Sequence, residues 1–407
     1  MKQKDQESPS DFSKLLEFVI FLLFFLGPLT GNIINVLFDV LSSNFQVTPD
    51  DILIAIPAFM FPFAITQIFS GAISDIKGRI PVLILGLSLF TIAMLTAVLS
   101  FNLEIYVIAN IIGGIGFGFI NPVLIALMTD ISSSSNIPKK MGYLGASANL
   151  GVGIGPLIAS RMILIGWQSI YILFIIITCC CLIFFLISTR PPQKILKQSG
   201  IRIFISQLSQ EWRRLIVILM MVSAFLLAHT YIAINIWTSK TLTQSNVLDE
   251  KTIGNILGLS GIGAAITGLI TGYMIKQKGV KIPLIMGSLI LFLSIMTLLV
   301  IGDISNPVKF IFMTIAWILA GFSGGILYTS LTYYCQVLSP ERRGVLAGLL
   351  TASYFIGIAL VPTTLAPFSN EFDIIGIYWV ILIITIIFII IIFLLYTMEK
   401  REFHKNK

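Results

Sequence analysis

Charge is what this chain has least of. Only 11% of its 407 residues are Asp, Glu, Lys or Arg, while 57% are apolar. A soluble domain carries roughly 25% charged residues, so a water-soluble globule is excluded. Histidine occurs twice and cysteine four times. Cys179, Cys180 and Cys181 are consecutive within one apolar run, and Cys335 lies near the end of another. That spacing suits neither a metal site nor a disulfide framework, and the thiols read as small apolar helix residues. No loop pairs a nucleophile with a base, and no nucleotide-binding loop occurs, so neither an enzyme nor a cofactor is expected. The net charge of +7 would fit nucleic acid if it formed a stripe with interleaved aromatics. Instead the basic residues occupy short pieces between apolar runs, where they signal topology and meet anionic headgroups. The expected partner is the lipid bilayer, not nucleic acid.

What is abundant is apolar sequence in membrane-length runs. A helix needs about 20 apolar residues to cross the hydrocarbon core. Twelve segments qualify: Leu15–Ser42, Ile52–Ile73, Ile80–Leu99, Ile105–Met128, Met141–Ile165, Ser169–Ser188, Leu215–Trp237, Ile253–Ile275, Ile282–Ile301, Phe310–Tyr334, Val345–Leu365 and Ile374–Met398. The polar stretch Met1–Lys14 precedes a run far longer than a signal-peptide core, so no cleavable leader is expected. With both termini in the cytoplasm, 22 of the 26 Lys and Arg residues fall on the cytoplasmic side. Only Arg161, Lys240, Lys251 and Lys309 fall outside, as the positive-inside rule requires. The basic piece Thr189–Arg214 divides the segments six and six, and its Ile201–Leu208 portion predicts a short amphipathic helix on the inner leaflet. The expected organisation is a cytoplasmic tail 1–14, a bundle 15–188, a linker 189–214, a second bundle 215–398 and a tail 399–407.

One short connection combines glycines, an acid and bases: Gly71-Ala72-Ile73-Ser74-Asp75-Ile76-Lys77-Gly78-Arg79. Gly71 admits close helix approach, and Gly78 permits a reversal at positive φ. The outline returns 201 residues later as Gly272 to Gly279, with the same spacing of seven. Pro138-Lys139-Lys140-Met141-Gly142 is answered by Pro340-Glu341-Arg342-Arg343-Gly344, and Asn35 by Asn235. Landmarks at nearly constant offset predict a duplicated architecture. The loop resembles the G-x-x-x-D-x-x-G-R signature of the major facilitator superfamily. The resemblance implies an all-α membrane protein whose twelve helices form two six-helix bundles related by pseudo-two-fold symmetry. It also implies a conformational gate of Gly71, Asp75, Gly78 and Arg79, docking against the eleventh segment at Gly344 when the cytoplasmic side closes.

Further motifs refine the picture. Asn110-Ile111-Ile112-Gly113-Gly114 is similar to the family's fourth-helix motif, but Asn110 stands where an Arg tied to the coupling proton is expected. Gly151-Val152-Gly153-Ile154-Gly155-Pro156 resembles the motif of the drug-efflux, or drug:proton antiporter, branch. Gly151 and Gly155 form a flat strip and Pro156 kinks the helix, which suits a sliding interface between bundles. The eighth segment is glycine-faced and would oppose it. Gly344, Gly348 and Gly357 of the eleventh would face the second.

Ionisable residues inside a membrane default to functional candidates. Asp39 and His229 are the candidate proton-coupling groups, Asp39 sharing a helix face with Asn35 and Asn32 at α-helical spacing. Gln67, Asn110, Asn149, Tyr231, Asn235, Tyr328 and Tyr354 complete, with Asn32 and Asn35, the candidate substrate cavity. Aromatics and amides suit a small amphipathic organic compound. The expected function is export of such a compound by alternating access, coupled to proton influx, by a monomer in the cytoplasmic membrane. Export of an endogenous product such as a metal-chelating metabolite, or solute:proton symport, stays open; a sensor or scaffold that moves nothing fits least.

Overall fold

The computed structural model describes residues 11–133, 136–187, 201–244, 248–301, 307–338 and 343–405. Among them every regular element is helical, because lipid offers a backbone group no partner outside its own helix or a closed barrel. Twelve helices are long and apolar enough to span a membrane: α1 (Lys14–Val36), α2 (Pro49–Lys77), α3 (Arg79–Val98), α4 (Leu103–Ile131), α5 (Lys140–Ile165), α6 (Gln168–Ile187), α7 (Leu215–Thr243), α8 (Glu250–Lys278), α9 (Lys281–Ile301), α10 (Val308–Leu338), α11 (Val345–Phe368) and α12 (Ile374–Met398). The last two belong to one helical run, Arg343–Lys405. A short helix, Ile201–Trp212, precedes α7 and outruns its expected end at Leu208. The first part of the linker, residues 189–200, lies outside the described residues, as do 339–342.

The spans form two six-helix bundles whose internal contacts repeat. A Cβ on Gly151 of α5 would overlap the Phe25 carbonyl oxygen of α1, and one on Gly357 of α11 would overlap that of Phe225 on α7. In the same way Gly114 of α4 meets the Phe59 carbonyl of α2, and Gly325 of α10 meets the Ala264 carbonyl of α8. Backbone contact this close needs glycine at the crossing, as in membrane helices generally. The reversals repeat too. Gly78 takes φ 95° and Gly279 φ 75°, and their N–H groups donate to the carbonyls of Ser74 (3.0 Å) and Ile275 (2.9 Å). The acid does not repeat, since Lys276 stands 201 residues after Asp75.

The first segment departs from a single α-helical span. Pro28 removes one backbone bond, and the ladder gives way to a 3₁₀ turn at Ile33–Val36 before resuming over Phe38–Phe45. Three residues per turn in place of 3.6 rotates everything beyond it. On the same face of the protein, Asp249 caps the helix that follows it. The Thr252 hydroxyl and backbone N–H, the latter at 3.0 Å, hold its carboxyl below the usual carboxylate range.

Candidate transport site

Between the bundles, α1, α2, α4, α5, α7, α8, α10 and α11 surround a cavity. Asn32, Asn35, Asn149, Tyr231, Tyr328 and Tyr354 line it, as their sequence positions suggest. Asn121 joins them unanticipated, a carboxamide one residue before the helix-interior Pro122. Among the described residues, no Asp, Glu, Lys, Arg or His contributes to the wall. Aromatic rings run across the boundary between bundles: Phe117 to Phe63 at 5.6 Å, Phe63 to Phe355 at 4.4 Å, Phe355 to Tyr354 at 5.7 Å and Tyr354 to Tyr328 at 5.0 Å between centroids.

Three candidates lie elsewhere. Asn235 is buried and accepts a 2.7 Å bond from Trp317 Nε1, joining α7 to α10. Asn110 donates to its own helix at the Tyr106 carbonyl (2.8 Å) and borders a smaller pocket within the first bundle. Gln67 is buried outside the cavity wall, with both amide atoms unpartnered. In an apolar span a carboxamide facing a neighbouring helix gives the same sequence signal as one facing a cavity.

The two coupling candidates are also displaced from the cavity. Asp39 lies past the 3₁₀ turn and is not among the cavity-lining residues. His229 clamps α7 to α11. Its ring stacks on Phe225, Nδ1 donates to the Gly357 carbonyl at 3.0 Å, and Nε2 lies 3.0 Å from Thr364 Oγ1.

The face carrying the Gly78 turn and the opposite face differ. Opposite, Lys240 of α7 is 4% exposed at its side chain, pairs with Asp50 of α2 and lies 4.4 Å from the Trp237 ring centroid. Arg161 of α5 donates to Asn255 Oδ1 of α8 at 2.7 Å. Deeper in, a Cβ on Gly261 of α8 would overlap Cα and N of Gly153 on α5. The bundles are therefore locked together on that side. On the Gly78 side, Gly71 of α2, Gly142 and Gly145 of α5, Gly272 of α8 and Gly348 of α11 would each find no atom within 4 Å of an added Cβ. There the bundles part.

Two interface assignments are corrected. Gly151 and Gly155 pack on α1 within their own bundle, and Gly153 between them makes the crossing to α8. Residues two apart on a helix point roughly 200° apart, so one helix presents different glycines to different neighbours. Pro156 does reach α8, its carbonyl oxygen 2.9 Å from a Cβ on Gly254. Likewise Gly357 packs on α7, not α2. At the gate, Asp75 pairs with Arg79, which also bonds Asp130 Oδ2 (3.0 Å) and Ser74 Oγ (2.6 Å), clasping α2, α3 and α4. Gly344 is helical, and its surroundings lie outside the described residues. Among the described residues no three His, Cys, Asp or Glu side chains gather to hold a metal ion.

Comparison with known proteins agrees with this architecture. The model of the Major Facilitator Superfamily matches residues 20–362 and 220–407. The chain is 32% identical over 148 residues to the quinolone resistance protein NorA of Staphylococcus aureus, and 27% identical over 147 residues to YvkA of Bacillus subtilis, described as an uncharacterized MFS-type transporter. Each match spans 36% of this chain, and 37% and 33% respectively of the relatives. The D-xylose-proton symporter shares the fold with a TM-score of 0.76 at 14% identity, covering 93% of this chain and 96% of its own. The human organic anion transporter MFSD10 does so at 0.70 and 16%, covering 95% and 100%. Twelve helices of membrane-spanning length make this chain a multi-pass membrane protein, and it belongs to the Major Facilitator Superfamily.

Proposed function

We propose that this transporter exports small amphipathic organic compounds from the cytoplasm by alternating access, coupled to proton influx. The observation that carries this reading is the cavity wall of rings and carboxamides without a charged group. Such a wall holds apolar and hydrogen-bonding surface and offers no counter-ion to a multiply charged metabolite. Likeness to a quinolone resistance protein over part of the chain supports export. The test uses everted membrane vesicles, energised with and without an uncoupler, against dyes, antibiotics and chelators. Uncoupler-sensitive accumulation is expected for amphipathic dyes; accumulation of none of the panel counts against export.

The 22-to-4 charge bias puts both termini in the cytoplasm of a cell whose cytoplasmic membrane holds the protein as a monomer. The Gly78 face is then cytoplasmic and the conformation inward-facing. Single cysteines at the exposed Asn44 and Ser209, in a background lacking the native four, should label from outside and inside respectively. Labelling of both from outside in intact cells contradicts the orientation.

For coupling, His229 has a geometry that accommodates a proton. Nδ1 must donate, since its partner is a carbonyl. Nε2 accepts from Thr364 when neutral. When charged it donates to Thr364 Oγ1, whose own hydrogen then serves the Leu360 carbonyl at 2.7 Å. The charged form keeps both bonds, whereas in the neutral form Nε2 and the Leu360 carbonyl compete for the single hydroxyl hydrogen. A proton entering with the membrane potential brings about 2.3 kcal/mol per 100 mV. His229→Gln is expected to uncouple energised transport while binding in the cavity persists, and Asp39→Asn tests the second group. Full gradient-driven transport in both variants places the proton path elsewhere.

Asp75 completes the cycle. In the outward-facing state its carboxylate would meet the N-terminal end of the Arg343–Lys405 run, worth about 1–2 kcal/mol. In the present state Arg79 keeps Asp130 and Ser74 without it. Asp75→Asn is therefore expected to shift the population inward by up to about 30-fold and slow turnover. Labels at Ile76 and Val337 report it; an unchanged distance distribution argues against the latch.

A further inference from the structure

Resting on the transport reading of the central cavity, we propose that its two sides select different parts of one substrate. The first bundle supplies a hydrogen-bonding wall of unpartnered carboxamides, and the second supplies ring platforms. The substrate class that fits is a planar aromatic compound whose edge carries an amide-like donor and acceptor.

The carboxamides come from one bundle only. Asn35, Asn121 and Asn149 project from α1, α4 and α5 into the cavity wall. Among the described residues none of the three has a hydrogen-bond partner. Asn35 is the sharpest case, since it is 2% exposed and its Oδ1 has no partner. A buried carbonyl oxygen left unpaired is costly, and such groups normally find a partner. Asn32 is different, because its Nδ2 donates to the Pro28 carbonyl at 2.7 Å. A carboxamide both donates and accepts, so the ligand edge that answers it best does both as well.

The opposing side contributes rings, since Tyr231, Tyr328, Tyr354 and Phe355 line the cavity there. The Tyr231 ring lies against Gly324, whose added Cβ would stand 3.0 Å from it. These residues offer rings to the cavity, suited to stacking.

The test uses 2-naphthamide and N,N-dimethyl-2-naphthamide, which share the ring and carbonyl but differ in the N–H donors. Affinity is measured by naphthalene fluorescence with the purified protein in nanodiscs, subtracting empty nanodiscs. Lipophilicity alone favours the dimethyl amide. The carboxamide wall instead predicts about tenfold tighter binding of the primary amide, the scale of one net hydrogen bond. Asn35→Leu should bring the ratio to about one without weakening the dimethyl amide, and Asn149→Leu should reduce it independently. Equal affinity in the wild type, or a preference that survives in both variants, overturns the assignment. Vesicle export that persists alongside such a result leaves the transport reading standing. Failure of either amide to bind saturably also overturns the assignment, and the vesicle assay then decides the transport reading by itself.

Discussion

Asp50→Asn is expected to move the conformational equilibrium toward opening of the Asp50 face. Lys240 is almost wholly buried at its side chain (4% exposed), while Asp50 is half exposed (49%). Removing the acid leaves the buried ammonium over the Trp237 ring without its counter-charge. Breaking a fully buried pair in this way costs about 3–5 kcal/mol. The exposure of Asp50 reduces this to about 2 kcal/mol, since solvent already screens one partner. That is a population shift on the order of 30-fold against the present state. Lys240→Met should behave differently, because replacing a buried charge by an apolar side chain of similar length is often neutral or stabilising. The double variant should therefore recover most of what Asp50→Asn loses. Spin labels at Asn44 and Lys251, both exposed and in different bundles, read the separation. An Asp50→Asn distribution matching the wild type, or a double variant no closer to it, refutes the tie.

Gly261→Ala should be more severe than its single methyl suggests. The new Cβ would overlap backbone atoms of Gly153, so no rotamer change relieves it. The reverse substitution, Gly153→Ala, meets Gly261 Cα at 2.8 Å and the Gly258 carbonyl oxygen at 2.9 Å. Overpacking of this kind costs about 1–3 kcal/mol where side chains can yield, and backbone against backbone lies at or above the upper end. α5 and α8 must separate, which also stretches the Arg161–Asn255 bond farther along the same pair. The expected result is loss of most transport and a shift toward the state open at the Asp50 face. Gly272→Ala on the same helix is the control. Nothing lies within 4 Å of its added Cβ in this state, so the Asn44–Lys251 distance should stay the same or move further toward the present state. Equal effects of the two substitutions would contradict a state-specific crossing.

Both variants act on contacts between bundles, and these are what the sequence left unassigned. In Gly151-x-Gly153-x-Gly155 the sequence reads Gly151 and Gly155 as one flat strip between the bundles. In the fold, the outer glycines serve α1 and the middle one serves α8. His229 and Asn235 carry the same signal as Asn149, a polar group in an apolar run. Two of them bond neighbouring helices and the third lines the cavity. Asn121 went unnoticed because nothing in its local sequence sets it apart from a packing carboxamide.

The sequence by itself determined the twelve spans, the pairing of the two halves and the positive-φ turns at Gly78 and Gly279. These depend on local quantities: the apolar length that lipid requires, the backbone freedom of glycine, and the recurrence of a loop at constant offset. Tertiary structure alone decided which face each polar and glycine residue presents. It also decided that Asn32 and Asn35 line the cavity while Asp39, past the 3₁₀ turn, does not. The locking of the Asp50 face, with the opposite one parted, belongs to the same level. Those outcomes depend on rotation about each helix axis and on which neighbour it meets. Helical periodicity fixes angles between residues of one helix, but the zero of that angle is set only by packing against the others.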